Sequence, residues 1–169
     1  MDDIFQRAVA YAKARNLTFT KELGAGVHGI VRVAKDNVNF RRFAVKLHRY
    51  EDPYRREKRA YLRLRELELT AVRGFNIPQF LHCDDVHRAI EMTIVTRPFL
   101  LDFAATWLDE PPDFPQDEWQ ESLEKREQFG ERWPEVQRVL AVLRSHGIFM
   151  FDISPTNIGF VDMGGHETG

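Results

Sequence analysis

Only one cysteine, Cys83, occurs in the 169 residues. No internal disulfide can form, which excludes a disulfide-stapled secreted scaffold. Neither sign of charge dominates: 24 Lys and Arg stand against 26 Asp and Glu, a net charge of −2. A protein that coats nucleic acid through overall basicity is thereby excluded. No run approaches the roughly 20 apolar residues that span a bilayer. The start, Met1-Asp2-Asp3, is acidic and lacks the apolar stretch of a signal peptide. These absences predict a reducing compartment, the cytoplasm by default, and no membrane partner. Serine is scarce too. Ser122, Ser145 and Ser154 are the only ones and none sits in a nucleophile elbow, so no Ser-His-Asp hydrolase is suggested. What is present is a globular composition, 43% hydrophobic and 12% aromatic, on a length that suits one domain or little more.

Residues 2–15 carry apolar side chains at helical spacing (Ile4, Phe5, Ala8, Val9, Tyr11, Ala12), with Asp2 or Asp3 as a cap. The period then changes. Leu17 to Leu23 reads as a strand, the glycine cluster Gly24-Ala25-Gly26-Val27-His28-Gly29 follows, and Ile30 to Ala34 is a β-branched second strand. The cluster fits G-x-G-x-x-G. A dinucleotide fingerprint must open a helix whose N-terminus holds the pyrophosphate. This cluster runs into a strand instead, which leaves a plain β-hairpin or a hairpin that covers phosphates with close backbone N–H groups.

Phe43 to Leu47 reads as a third strand and contains Lys46. A lysine there either snorkels outward or meets a buried acid. Asp52-Pro53 starts a helix that runs to about Leu69. Glu57 lies on its apolar stripe with Ala60, Tyr61 and Leu64, and a buried carboxylate requires a cationic partner. Lys46 is the candidate; Arg56 or Arg59 of the same helix is the alternative. Pro78 to Asp84 and Arg88 to Thr96 read as two further strands.

In this order, Leu23 to Val31, Ala44-Val45-Lys46 and Glu57 resemble the N-terminal lobe of the protein-kinase-like family. The resemblance implies an α+β fold with a five-stranded antiparallel lobe and one main helix over residues 1–98. Residues 99–169 would form a reduced, mainly helical second lobe. It further implies that Gly24, Gly26, Gly29 and Lys46 bind ATP, that Glu57 holds Lys46, and that Thr96-Arg97-Pro98 lies near the hinge that binds adenine.

Downstream, Phe99 to Trp107 reads as a short apolar helix and 109–117 as a Pro- and acid-rich loop. A charged helix ends near Gly130, and a helix from Pro134 to Ser145 carries the stripe Val136, Val139, Leu140 and Leu143 before Gly147 stops it. Asp152-Ile153-Ser154-Pro155-Thr156-Asn157 then reads as a turn or as a catalytic loop. Segment 148–158 resembles the family's catalytic loop, which implies Asp152 as the base for an acceptor hydroxyl and Asn157 as a ligand of Mg²⁺. Family motifs therefore run in order from residue 23 to 157.

Three departures stand out. Met150-Phe151 replaces the family's His-Arg, which argues against activation by loop phosphorylation. Ser154 stands where protein kinases carry a lysine. Asp162-Met163-Gly164 looks like the second metal-binding motif, yet follows Asn157 too closely for a hairpin; the preferred reading is a strand over 158–161 and a turn after it. The expectation is thus a truncated or reduced kinase, active or a pseudokinase-like binding module, with an unknown acceptor. The stripe of the helix 134–145 would then lack its usual cover; either Phe99 to Trp107, Leu123 and Phe129 supply some, or an exposed apolar face predicts a partner, a dimer or poor solubility. The cluster His82-Cys83-Asp84-Asp85-Val86-His87 matches no four-ligand zinc spacing. The basic stretch Arg41–Arg65 could bind nucleic acid or an acidic partner, but reads more readily as a solvated helix face.

Overall fold

A computed structural model of the chain describes residues 3–113 and 118–162, with 118–122 described by backbone alone. The first half contains α1 (Ile4–Arg15), β1 (Leu17–Ala25), β2 (Gly29–Asp36), β3 (Arg42–His48), α2 (Glu51–Glu66), β4 (Ala71–Val72), β5 (Phe75–Asn76), β6 (Phe80–Asp84) and β7 (Ala89–Met92). The second contains β8 (Phe99–Leu100), β9 (Thr106–Leu108), α3 (Glu118–Phe129), α4 (Trp133–Ser145), β10 (Ile148–Met150) and β11 (Ile158–Gly159). The fold is α+β. Its main sheet is five-stranded and antiparallel, in the order β1-β2-β3-β7-β6. Among the described residues no helix is long and apolar enough to cross a membrane.

Strand alternation sorts the side chains of this sheet onto two faces. Val45, Leu47 and Ala89 point to one side, where Ile4, Ala8 and Tyr11 of α1 cover them. Asp3 caps that helix by accepting the Phe5 N–H at 2.8 Å, and Asn16 closes it in the left-handed region at φ 53°. Ala44, Ile90 and Met92 point to the other side, where α2 packs. Lys46 and His48 alternate with Val45 and Leu47 and therefore face α2 as well. On α2 the buried positions are Pro53, Tyr54, Glu57, Ala60, Tyr61 and Leu64, a single stripe at spacings of three and four.

The second face continues into the second half of the chain. Tyr61 and Leu64 of α2 share one core with Val136, Val139, Leu140 and Leu143 of α4, and with Ile148 and Ile158. Of the two outcomes expected for the α4 stripe, cover or exposure, the structure shows cover, all four residues being 6% exposed or less. It packs against β10 and β4 and shares its core with Phe75 and Phe129, so this face gives no reason to invoke a partner.

A second correction concerns 99–107, expected as a helix. Ile158 and Gly159 of β11 pair antiparallel with Leu100 and Phe99 of β8, and Ile148 to Met150 of β10 pair antiparallel with Leu108 to Thr106 of β9. The segment is thus two short strands with a tight turn between them. Helix propensity is a weak prior, and pairing with strands some 50 residues later overrides it. The expected strands at Pro78–Asp84 and Arg88–Thr96 are shorter, at Phe80–Asp84 and Ala89–Met92. Met163 to His166 of the expected turn lie outside the described residues.

Candidate functional site

The two pairings just described have a geometric consequence. The turn between β8 and β9 (101–105) and the loop between β10 and β11 (151–157) are held face to face. Leu101 donates its N–H to the Asn157 carbonyl at 2.7 Å, and Phe151 donates to the Ala105 carbonyl at 3.0 Å. Together with the β1–β2 hairpin and the inner face of β3, they line one cleft of about 850 Å³.

The roof is the glycine hairpin, closed by the Gly26 N–H bonding the Gly29 carbonyl at 2.9 Å. Gly29 is needed where β2 crosses β3: a Cβ there would lie 2.0 Å from the Leu47 carbonyl oxygen. At Gly24 and Gly26 a Cβ would meet nothing within 4 Å. These two glycines border open space in the cleft, as a loop shaped around a ligand would.

At the back, Lys46 Nζ lies 2.8 Å from Glu57 Oε2 and 2.9 Å from Asp102 Oδ1. The side chains of Lys46 and Glu57 are 6% and 1% exposed. His48 Nε2 reaches the same Glu57 oxygen at 2.6 Å, and the Phe103 N–H donates to Oε1 at 3.1 Å. Burial works to raise the Glu57 carboxyl, but Lys46 and His48 outweigh it and pull it down to about 2. Burial works to lower Lys46, and the Glu57 and Asp102 carboxylates overcome it and hold the ammonium above its ordinary range. The structure therefore brings Lys46 to Glu57. Arg56, the alternative partner, instead donates to the Ala104 carbonyl at 2.9 Å and sits 4.9 Å from the Trp107 ring centroid.

Across the cleft, Asp152 and Asn157 line the same space. Asn157 Nδ2 donates to the Asp152 carbonyl at 3.0 Å. That bond fixes the amide and leaves Oδ1 as a donor atom for a cation. Asp162 does not line this cleft; it lies exposed after β11. A further carboxylate that lines the cleft with Asp152 and Asn157 is Asp102, which the sequence reading missed. Its backbone is left-handed at φ 62°, and its Oδ1 accepts the Ala104 N–H at 3.2 Å, an Asx turn that few other residues would support. Both bonds that Asp102 accepts fall on Oδ1, so Oδ2 stays free of described partners. A lone carboxylate inside the apolar run Phe99 to Ala105 was the signal that could have revealed it.

Among the described residues no group of three or more His, Cys, Asp or Glu is placed to hold a metal by itself. Asp102 Oδ2 and Asn157 Oδ1 are hard oxygen donors on two residues that line the same cleft. Such donors suit Mg²⁺, which binds through one or two carboxylates and completes its shell with water and substrate phosphates. The His82–His87 segment is the end of β6 and the turn after it: Asp84 accepts the His87 N–H at 2.8 Å, and Asp85 accepts from Tyr54 and Lys58. Comparison with protein-family models, with curated proteins and with solved structures finds no match to this chain.

Proposed function

We propose that the chain binds ATP with Mg²⁺ in this cleft and transfers the γ-phosphate to a hydroxyl acceptor, as a phosphotransferase of protein-kinase-like architecture. The observation that carries the reading is the convergence, in one cleft, of a buried Lys46–Glu57 pair, a glycine hairpin and the oxygen set of Asp102, Asp152 and Asn157. In the resembling family the second metal-binding aspartate follows the catalytic loop, in Asp-Phe-Gly. Here Asp102-Phe103-Ala104 precedes that loop by about 50 positions. The antiparallel pairings β8–β11 and β9–β10 support an equivalent meeting of the two loops from the opposite chain order.

In this reading the hairpin N–H groups and Lys46 hold the phosphates. Glu57 keeps Lys46 extended into the cleft. Asp102 and Asn157 hold Mg²⁺, whose charge offsets that of the phosphates when bound. Asp152 orients the acceptor hydroxyl and takes its proton. Phosphoryl transfer depends mostly on positioning and charge, and these residues supply both. A second reading, a pseudokinase-like module that binds nucleotide without turnover, draws on Ser154 standing where protein kinases carry a lysine.

Thermal denaturation with ATP, with and without Mg²⁺, separates the readings. The phosphotransferase reading expects stabilisation that depends on Mg²⁺ and disappears in Lys46→Ala. Stabilisation indifferent to Mg²⁺ supports the binding module, and no shift in either condition overturns both.

A further inference from the structure

His48 is a fully buried side chain, 0% exposed, that touches Glu57 of the Lys46–Glu57 pair and to which the nucleotide reading assigns no task. It lies two positions after Lys46 on β3, so both point to the α2 face. Its ring is held on three sides. Nε2 meets Glu57 Oε2 at 2.6 Å, Nδ1 faces the Arg88 carbonyl at 3.2 Å, and the Tyr54 ring packs edge-on at 5.4 Å. The backbone around it is fixed as well. The His48 N–H donates to Arg88 at 3.0 Å, and Arg7 of α1 donates to the His48 carbonyl at 2.8 Å.

Glu57 Oε2 thus receives two donors, Lys46 and His48, while Oε1 is taken by Phe103. Lys46 in turn faces two acceptors, Glu57 and Asp102. A lysine drawn toward phosphates shares its donors with them and holds Glu57 Oε2 less completely. Whenever Lys46 leans into the cleft, Glu57 Oε2 needs another donor, because the Phe103 N–H serves only Oε1 and a buried carboxylate oxygen left unpaired carries a desolvation penalty. His48 supplies that donor from the side away from the cleft.

Resting on the phosphotransferase reading, we propose that His48 is a positioning residue for the nucleotide. Its Nε2–H anchors the Glu57 carboxylate, so that Glu57 keeps its orientation while Lys46 engages phosphate. His48 acts through Glu57 and does not itself touch nucleotide.

The test is titration calorimetry of MgATP against wild type, His48→Leu, His48→Gln and His48→Asn, with urea denaturation of each. Glutamine places an amide N–H about where Nε2 lies; asparagine falls short of it. Losing a hydrogen bond to a charged group is expected to weaken MgATP about tenfold or more in His48→Leu. His48→Gln is expected to restore affinity to within about threefold of wild type, since it rebuilds that bond. If His48→Leu does not fold, His48→Asn takes its place with the same expected loss. A purely structural role would lower urea stability in these variants while leaving MgATP affinity at the wild-type value, and that result overturns the proposal. A wild type that fails to bind MgATP overturns the phosphotransferase reading, and the role of His48 with it. The wild-type titration tests the site and the variants test His48.

Discussion

Two buried glutamates sit on opposite faces of the same sheet, and they use similar chemistry for different ends. Glu91, 3% exposed, lies on the α1 side. Its Oε1 accepts from Tyr11 Oη at 2.7 Å and Arg15 Nε at 3.0 Å, and its Oε2 accepts from Arg15 Nη2 at 3.2 Å. Every described partner belongs to α1, and none of the three side chains lines the cleft. Glu57 lies on the α2 side, and its partners come from β3 and from the β8–β9 turn. One of them, Lys46, lines a cleft and faces a second carboxylate. The first network ties a helix to a sheet. The second holds a cation in place beside an open space. Burial and pairing alone do not mark a functional acid; what distinguishes Glu57 is that its partner has somewhere else to go.

The largest expected effect lies in the chemistry of the cleft. Asp152→Asn should reduce phosphate transfer or ATP hydrolysis by about 10²–10⁴-fold while leaving MgATP affinity near wild type, read by steady-state turnover alongside calorimetry. The two glutamates give the sharper contrast. Glu57→Gln and Glu91→Gln should each cost about 1–3 kcal/mol of stability in urea, since each weakens a buried charged network. Only Glu57→Gln should also weaken MgATP binding. Equal loss of binding in both variants would erase the distinction between the two networks.

Acid titration separates the faces further. The Glu57 carboxyl is depressed to about 2 in the folded chain from an ordinary 4.5. Below about pH 4.5 the unfolded chain takes up this proton and the folded chain does not. The stability it contributes is therefore present above that pH and is lost as pH falls towards 2. Glu57→Gln should flatten this part of the stability curve, measured by urea denaturation between pH 2 and 5. The Lys46 shift has the opposite sign: its stabilisation is present below 10.5 and is lost as pH rises through its elevated folded value. The smallest contrast lies within the hairpin. Gly29→Ala should cost about 1–3 kcal/mol by forcing a Cβ into the Leu47 carbonyl. Gly26→Ala should leave stability within about 0.5 kcal/mol of wild type, because its Cβ would enter open space.

Much of the first half was legible because its signals are local. The glycine cluster, the period-2 strand around Lys46 and the α2 stripe carrying Glu57 each declare themselves within a dozen residues. Two features were not. Residues 99–107 form an apolar run without clear period, and their strands exist only by pairing with 148–150 and 158–159. Read as a helix, that run gives Asp102 no role, and Asp162 is the candidate its local motif offers. His48 was equally hidden. Nothing in the sequence says that a histidine at a strand's end will meet a glutamate nine positions later on a helix. The cover of α4 was legible in part: Phe129 was a candidate from the sequence, whereas Val72 and Phe75 join that core through tertiary packing that local spacing does not encode.

The central claim is that Asp102, placed ahead of the Asp152–Asn157 loop in the chain, completes a magnesium–nucleotide site with it. Calorimetric titration of ATP in Mg²⁺ and in EDTA, on wild type and Asp102→Asn, tests this directly, since asparagine preserves the turn and removes the charge. The account expects wild type to bind ATP more tightly with Mg²⁺ and Asp102→Asn to lose most of that difference. A wild type indifferent to Mg²⁺, or a variant as responsive as wild type, would contradict it.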